Sequence, residues 1–172
     1  MRDISMHVLD IVMNSIHAKA SLIEITITEK KETLTLVIKD NGSGMTKGML
    51  ENVKDPFCTT RKTRHVGLGI PLLYQNVKNT GGVFNITSNI NEGTIIEAIF
   101  NKNHIDCIPL GNMNETILSL IALEPDIDFI YTRIKNQNQY VLNTQEIKGV
   151  LRGVSINEPE VINWLKEDLL QQ

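Results

Sequence analysis

The chain has 172 residues, 41% apolar and 22% charged, with 17 basic against 20 acidic side chains and a formal net charge of −3. That length suits one domain, or one with an appendage, and the composition excludes wholesale disorder; the slight acidity argues against a nucleic-acid partner, since dedicated binders are plainly basic. Cys58 and Cys107 form neither a disulfide framework nor a metal-ligand spacing, and no signal peptide or apolar run of ~18 residues opens or crosses the sequence, so a cytoplasmic protein without membrane association is expected.

Met6, Leu9, Val12 (with Met13) and Ile16 recur at helical spacing, predicting a helix over residues 4–18 with these side chains on its apolar face. Ile23, Ile25 and Ile27 then alternate with Glu24, Thr26 and Thr28, and Leu34, Leu36 and Ile38 repeat the pattern beyond a charged turn. This predicts an antiparallel hairpin with one wet face. A glycine-bearing loop over 41–48 leads to a short helix near 47–54, irregular chain to Val66, and a helix from about Ile70 to Asn79 ended by Gly81-Gly82. VFNITSNI and TIIEAIF form a second hairpin around Asn91-Glu92-Gly93. The order implies an α+β fold, a two-layer sandwich with helices on one face of a mostly antiparallel sheet, over residues 1–103. Residues 104–172 read as a small C-terminal α/β extension: helix 114–124, strands 127–134 and 139–144, helices 145–152 and 158–170. It is either a subdomain or a wrap on the first unit.

Three places carry chemistry. Asp40-Asn41-Gly42-Ser43-Gly44 follows a strand directly. A strand-end carboxylate can accept a hydrogen bond from an exocyclic amine, and glycines at 42 and 44 would let a flat ring approach the backbone; the same residues also suit an ordinary turn. Gly67-Leu68-Gly69-Ile70 opens a helix, whose free N–H groups attract phosphate oxygens, and Arg61, Lys62 and Arg64 precede it in one loop, either a cationic flap or a solvated basic stretch. It is neither a dinucleotide fingerprint nor a P-loop. In the first helix His7, Asp10, Asn14 and His17 form a polar stripe opposite the apolar one, either solvent-facing or able to offer a hard oxygen to Mg²⁺ and a carboxylate to a proton.

Taken together and in order, LDIVMNSIHAKAS, DNGSGM, DPFCTTRKTRHVGLGI and NEGTIIEAIF resemble the Bergerat-fold (GHKL) ATP-binding domain of histidine kinases, anti-sigma serine kinases, gyrase B and MutL-type repair ATPases. The resemblance covers residues 4–100. It implies that Asn14 ligates a Mg²⁺ bridging the phosphates of ATP, and that Asp10 stands where the general base is often glutamate. It implies that Asp40 receives the adenine amino group, with Gly42 and Gly44 shaping the pocket and Thr94 nearby. Gly67, Leu68 and Gly69 fall at the phosphates, with Arg61, Lys62 and Arg64 neutralising charge there, and Phe57 packs a lid together with Cys58.

The sequence departs from the pattern in three ways. Asp10 is a methylene shorter than glutamate, the lid carries basic residues in place of an upstream glycine pair, and, with three residues ahead of the first helix, no phosphoacceptor helix is expected before the domain. His7 is expected to be a partner of Asp10 or an exposed residue, His17 has no special role, and Trp164 with Val161, Leu165 and Leu169 is expected in the core or on a docking surface. The expected function is Mg²⁺-dependent ATP binding with phosphotransfer to a histidine or serine of a partner protein, with a homodimer allowed. The alternatives are slow ATP hydrolysis driving a conformational switch and a non-catalytic ATP sensor.

Overall fold

Alternation between apolar and polar residues settles the central strands. In the computed structural model, which describes residues 2–54 and 68–171, Ile23, Ile25 and Ile27 are fully buried along β1 (Leu22–Glu29). Its hairpin partner β2 (Thr33–Asp40) buries Leu34, Leu36 and Ile38 in the same way, in register from Glu29 opposite Leu34 to Ile23 opposite Asp40. Each isoleucine so buried contributes roughly 1.5–3 kcal/mol from its apolar area. The alternate residues lie on the other face, where Lys39 and Glu24 pair at 2.7 Å.

Before this hairpin stands α1 (Ile4–His17), started by the Asp3 carboxylate, which accepts from the Met6 amide at 2.9 Å. After it come α2 (Lys47–Asn52) and α3 (Gly69–Asn79). The α3 helix ends as its glycines predict: Gly81 adopts φ +70, and the amides of Gly81 and Gly82 donate to the carbonyls of Lys78 and Val77. The second hairpin follows as β3 (Val83–Asn89) and β4 (Gly93–Asn101).

The remaining elements are α4 (Met113–Leu123), β5 (Asp128–Lys135), β6 (Asn138–Asn143), α5 (Thr144–Leu151) and α6 (Pro159–Leu170). The strand pair predicted for residues 104–172 does not make a sheet of its own. It extends the first, giving the order β3-β4-β2-β1-β5-β6, with β5 running parallel to β1 and every other pairing antiparallel. The reason is the open edge of β1: paired with β2 alone, it would leave a row of unmet N–H and C=O groups beside a buried face. The helical layer is joined likewise, with α1 against α3 and α4, and α4 against α6. The amides of Ile4 and Ser5 donate to the carbonyls of Pro109 and Leu110, each at 2.9 Å. The result is a mixed α/β sandwich.

Two sequence expectations are corrected. Met6 and Leu9 do not face the core: they are 46% and 38% exposed, while Ile4, Val8, Ile11, Val12 and Ser15 are buried. Both faces of α1 carry apolar residues, so periodicity alone left the choice to the packing partners α3 and α4. Trp164 is likewise outside the core at 55% exposure, although Leu165 and Leu169 on the same helix are buried.

Tyr131, on β5, is fully buried, and its hydroxyl has no partner among the described residues. Tyr131→Phe is therefore expected to leave stability unchanged or to raise it by about 1 kcal/mol, since an unmet buried hydroxyl is a liability. Urea denaturation checks this; a loss of stability in the variant would show that the hydroxyl is satisfied.

Candidate functional site

At the end of β2 the apolar face of the sheet turns polar. Asp40 lies between Ile23 of β1 and Thr94 of β4 in register, and Thr94 in turn lies beside Ser88 of β3. Residues in register on neighbouring strands point to the same face, so Asp40, Thr94 and Ser88 form a polar row on the helix side. The Ser88 and Thr94 hydroxyls are 2.9 Å apart. Above the row runs the last turn of α1, from which Ser15 donates to Asp40 Oδ2 at 2.7 Å.

Asp40 is 8% exposed, and its second oxygen, Oδ1, accepts from the Gly42 amide at 2.9 Å. A carboxylate has about four acceptor positions on its two oxygens. Two are taken, so the group is fixed in orientation and still able to accept from a donor entering the site. The loop beyond it is tied on several sides. Asn41 Oδ1 accepts from the amides of Ser21 and Leu22, the Ser43 amide donates to Ala18 O at 2.8 Å, and the Asn91 amide donates to Ser43 O at 2.8 Å.

The glycines of this loop lie close against neighbouring parts of the chain. A Cβ on Gly42 would stand 2.9 Å from the Ala18 carbonyl oxygen and 3.0 Å from the Ala18 methyl group. Gly44 has φ +65, and a Cβ there would overlap the carbonyl oxygen of Asn89. At Gly42 such a Cβ would also stand 3.1 Å from Asp40 Oδ1, so both the backbone and the Asp40 carboxylate exclude a side chain there, while at Gly44 the Asn89 backbone does. Both glycines let the loop close down beside Asp40.

A second group of residues meets where α1 passes the start of α3. Gly69, the first residue of α3, lies so close to Asp10 that a Cβ on it would overlap the carboxylate. Burial raises the Asp10 carboxyl above its ordinary value. The free N–H groups at a helix start favour an anion, so this carboxylate is held where a proton and a negative group compete. Asn14 follows Asp10 by four residues on α1, about 6 Å along the axis. It is half-buried, and its side-chain amide has no hydrogen-bond partner among the described residues. Leu68, also half-buried, immediately precedes α3.

His7 is overturned as an exposed residue. It is fully buried, and the Asn76 side-chain amide of α3 lies 2.8 Å from its Nε2. Burial holds its pKa down to about 4. The polar stripe of α1 therefore does not face solvent as a whole: His7, Asp10 and Asn14 lie on the side toward α3, whereas His17 is exposed. Phe57, Cys58, Arg61, Lys62, Arg64 and Gly67 lie outside the described residues. Sequence reading missed Ser15 and Asn76. For Ser15 a signal existed, since it falls at helical spacing after Ile4, Val8 and Ile11, on the buried face; Asn76 offered none.

Residues 2–104 match the family described as histidine kinase-, DNA gyrase B-, and HSP90-like ATPase. The chain belongs to that family. Membership makes ATP the ligand of this domain. Among curated relatives of this family member, sporulation kinase A of Bacillus subtilis (strain 168) is 27% identical over 96 residues, covering 55% of this chain and 16% of the kinase. Sporulation kinase C of the same organism is 27% identical over 93 residues, covering 53% of this chain and 22% of the kinase. The chain thus matches less than a quarter of the length of these relatives. Among solved structures, the N-terminal domain of a DNA repair protein superposes with a TM-score of 0.60 at 16% identity, over 83% of this chain and 53% of that one. That coverage is more than residues 2–104 can supply, so the shared fold includes part of the extension. No helix among the described residues is long and apolar enough to cross a membrane.

Proposed function

We propose that this ATPase-family domain binds Mg²⁺-ATP between α1, α3 and the polar end of the sheet, and transfers the γ-phosphoryl group to a histidine or serine of a partner protein. The observation that carries the reading is Asp40: a nearly buried carboxylate, oriented by Ser15 and the Gly42 amide, with acceptor capacity left and Thr94 beside it. It would accept from the adenine amino group. The phosphates would then reach toward Asn14 and the start of α3, where Gly69, Leu68 and the preceding Gly67 contribute backbone N–H groups. Arg61, Lys62 and Arg64 would neutralise charge on the γ-phosphate.

The donor set fits magnesium held mainly by the nucleotide. Among the described residues there is no cluster of three or more His, Cys, Asp or Glu side chains that could hold a metal by itself, and Asn14 presents one unengaged amide oxygen. Mg²⁺ keeps water and phosphate ligands and takes few from protein, so one hard oxygen suffices; when bound, it neutralises charge on the phosphates. Asp10 would accept the proton of the attacking hydroxyl or imidazole, its raised proton affinity suiting that role. Phosphoryl transfer otherwise depends on positioning and electrostatics. The cytoplasm and a protein partner are the corresponding setting.

Incubating the protein with γ-labelled ATP, Mg²⁺ and a lysate of the source cells tests the transfer. Label on another protein is the expected result. Release of free phosphate alone would replace this reading with slow hydrolysis driving a switch, and neither product would replace it with an ATP sensor. Asn14→Ala is expected to abolish the Mg²⁺-dependent gain in ATP affinity while leaving the fold intact. Calorimetric titrations with and without Mg²⁺ measure this, and a surviving metal dependence would remove Asn14 from the site.

A further inference from the structure

One buried residue outside the machinery just assigned links both of its helices. His7 is fully buried on α1, and its Nε2 meets the Asn76 amide on α3 at 2.8 Å. Its Nδ1 has no hydrogen-bond partner among the described residues, while the backbone at Gly69 acts on the ring in the sense that favours its charged form. Thus the ring is joined to α3 through the Asn76 side chain, two turns beyond the first residue of that helix, Gly69. That first residue is the one packed against Asp10, one turn further along α1.

We propose that His7 is a positioning residue for the nucleotide site: neutral and hydrogen-bonded to Asn76, it sets the start of α3 against Asp10 and Asn14. The proposal rests on the reading of α1 and α3 as the walls around the phosphates. A helix start attracts an anion only through N–H groups within hydrogen-bond reach, and a displacement of about 1 Å is enough to lose much of that alignment. The imidazole transmits α1's position to α3 through a directional bond, which apolar packing alone does not supply.

The chemistry of the joint makes it sensitive to charge. Neutral His7 accepts at Nε2 from the Asn76 amide, which leaves the proton on Nδ1. A protonated ring would present donors at both nitrogens, and Nε2–H would then face the Asn76 N–H₂ group, so the amide must turn over or the joint must open. Among the described residues, Asp3 at the start of α1 is the charge that favours the cation, and burial opposes it. From α3 the ring meets the Asn76 amide.

The test compares ATP affinity by calorimetry at pH 6, 7 and 8 for the full chain and for His7→Gln, Asn76→Ala and Asn76→Asp, with ¹⁵N imidazole spectra of His7. In the unsubstituted protein the ring is expected to be the Nδ1–H tautomer at all three values, with signals that shift on adding ATP and an affinity insensitive to its titration. Asn76→Ala is expected to weaken ATP binding by about five- to tenfold, the loss of one directional bond. Asn76→Asp places a carboxylate on Nε2, which turns the ring into a donor there, and is expected to bring the imidazole titration into this range and to give ATP affinity a pH dependence that the unsubstituted protein lacks. A passive core histidine would not produce that new pH dependence. If the unsubstituted protein binds ATP and both Asn76 variants bind it equally well at every pH, the proposal is overturned; His7→Gln, whose amide oxygen can still accept from Asn76, is expected to retain more affinity than Asn76→Ala, and the reverse order would also overturn it. If the unsubstituted protein binds no ATP, the nucleotide reading itself fails and the proposal falls with it.

Discussion

Asp40→Asn is expected to weaken ATP binding by roughly 1.5–3 kcal/mol, about ten- to hundredfold in Kd, the worth of a hydrogen bond to a charged group. The substitution suits the question because it keeps the shape of the side chain. An asparagine oxygen can still accept from the Gly42 amide, and the Ser15 hydroxyl can rotate to accept from the new N–H₂ group, replacing the bonds now made at 2.9 and 2.7 Å. Truncation to alanine would instead leave the Ser15 hydroxyl and the Gly42 amide unmet in a buried place, confusing a folding defect with a binding defect. Calorimetric titration with ATP measures the loss, and unbroken cooperative unfolding shows that the fold is kept. An unchanged affinity would remove the adenine assignment from Asp40.

Acid should destabilise the protein through His7, by about 3 kcal/mol between pH 6.5 and pH 4. The group has an ordinary value of 6.5, held down to about 4 by burial in the folded chain, and each pKa unit of difference corresponds to about 1.4 kcal/mol. The sign follows from which state binds the proton. Between these values the unfolded chain is protonated at His7 and the folded chain is not, so the stabilisation is complete above pH 6.5 and is lost as pH falls toward 4. Asp10 acts in the opposite sense, since burial raises its carboxyl and the folded state there holds the proton more firmly. Comparing urea denaturation of the unsubstituted protein with His7→Gln across this range cancels the Asp10 contribution. The difference in stability should shrink toward acid; a constant difference would mean that His7 titrates alike in both states.

Much of the strand pattern could be read before folding because a half-buried strand writes its two faces into alternate residues. Ile23, Ile25 and Ile27 show this, as do Leu34, Leu36 and Ile38, and all six are buried. The glycines at 81 and 82 marked the end of α3 for a similarly local reason, the left-handed turn that follows a helix. The motifs in order pointed to the family, and the match over residues 2–104 bears that family out. The α1 helix was less legible because it carries apolar residues on two sides of its polar stripe, and helical spacing cannot say which of two apolar stripes will meet a neighbour. Met6 and Leu9 were therefore assigned inward, and His7 was not recognised as buried.

Local order along the chain thus determined the element types, their sequence and the motifs that mark the family, since turn chemistry and hydrophobic period depend on near neighbours. Tertiary structure decided what depends on distant ones: that β5 would pair with β1 and merge residues 104–172 into the same sheet, that Ser15 would orient Asp40, and that His7 would meet Asn76. These contacts join side chains or strands far apart along the chain, and no spacing rule links them. They arise because a buried polar group or an open strand edge must find a partner, and only the assembled fold brings one within reach.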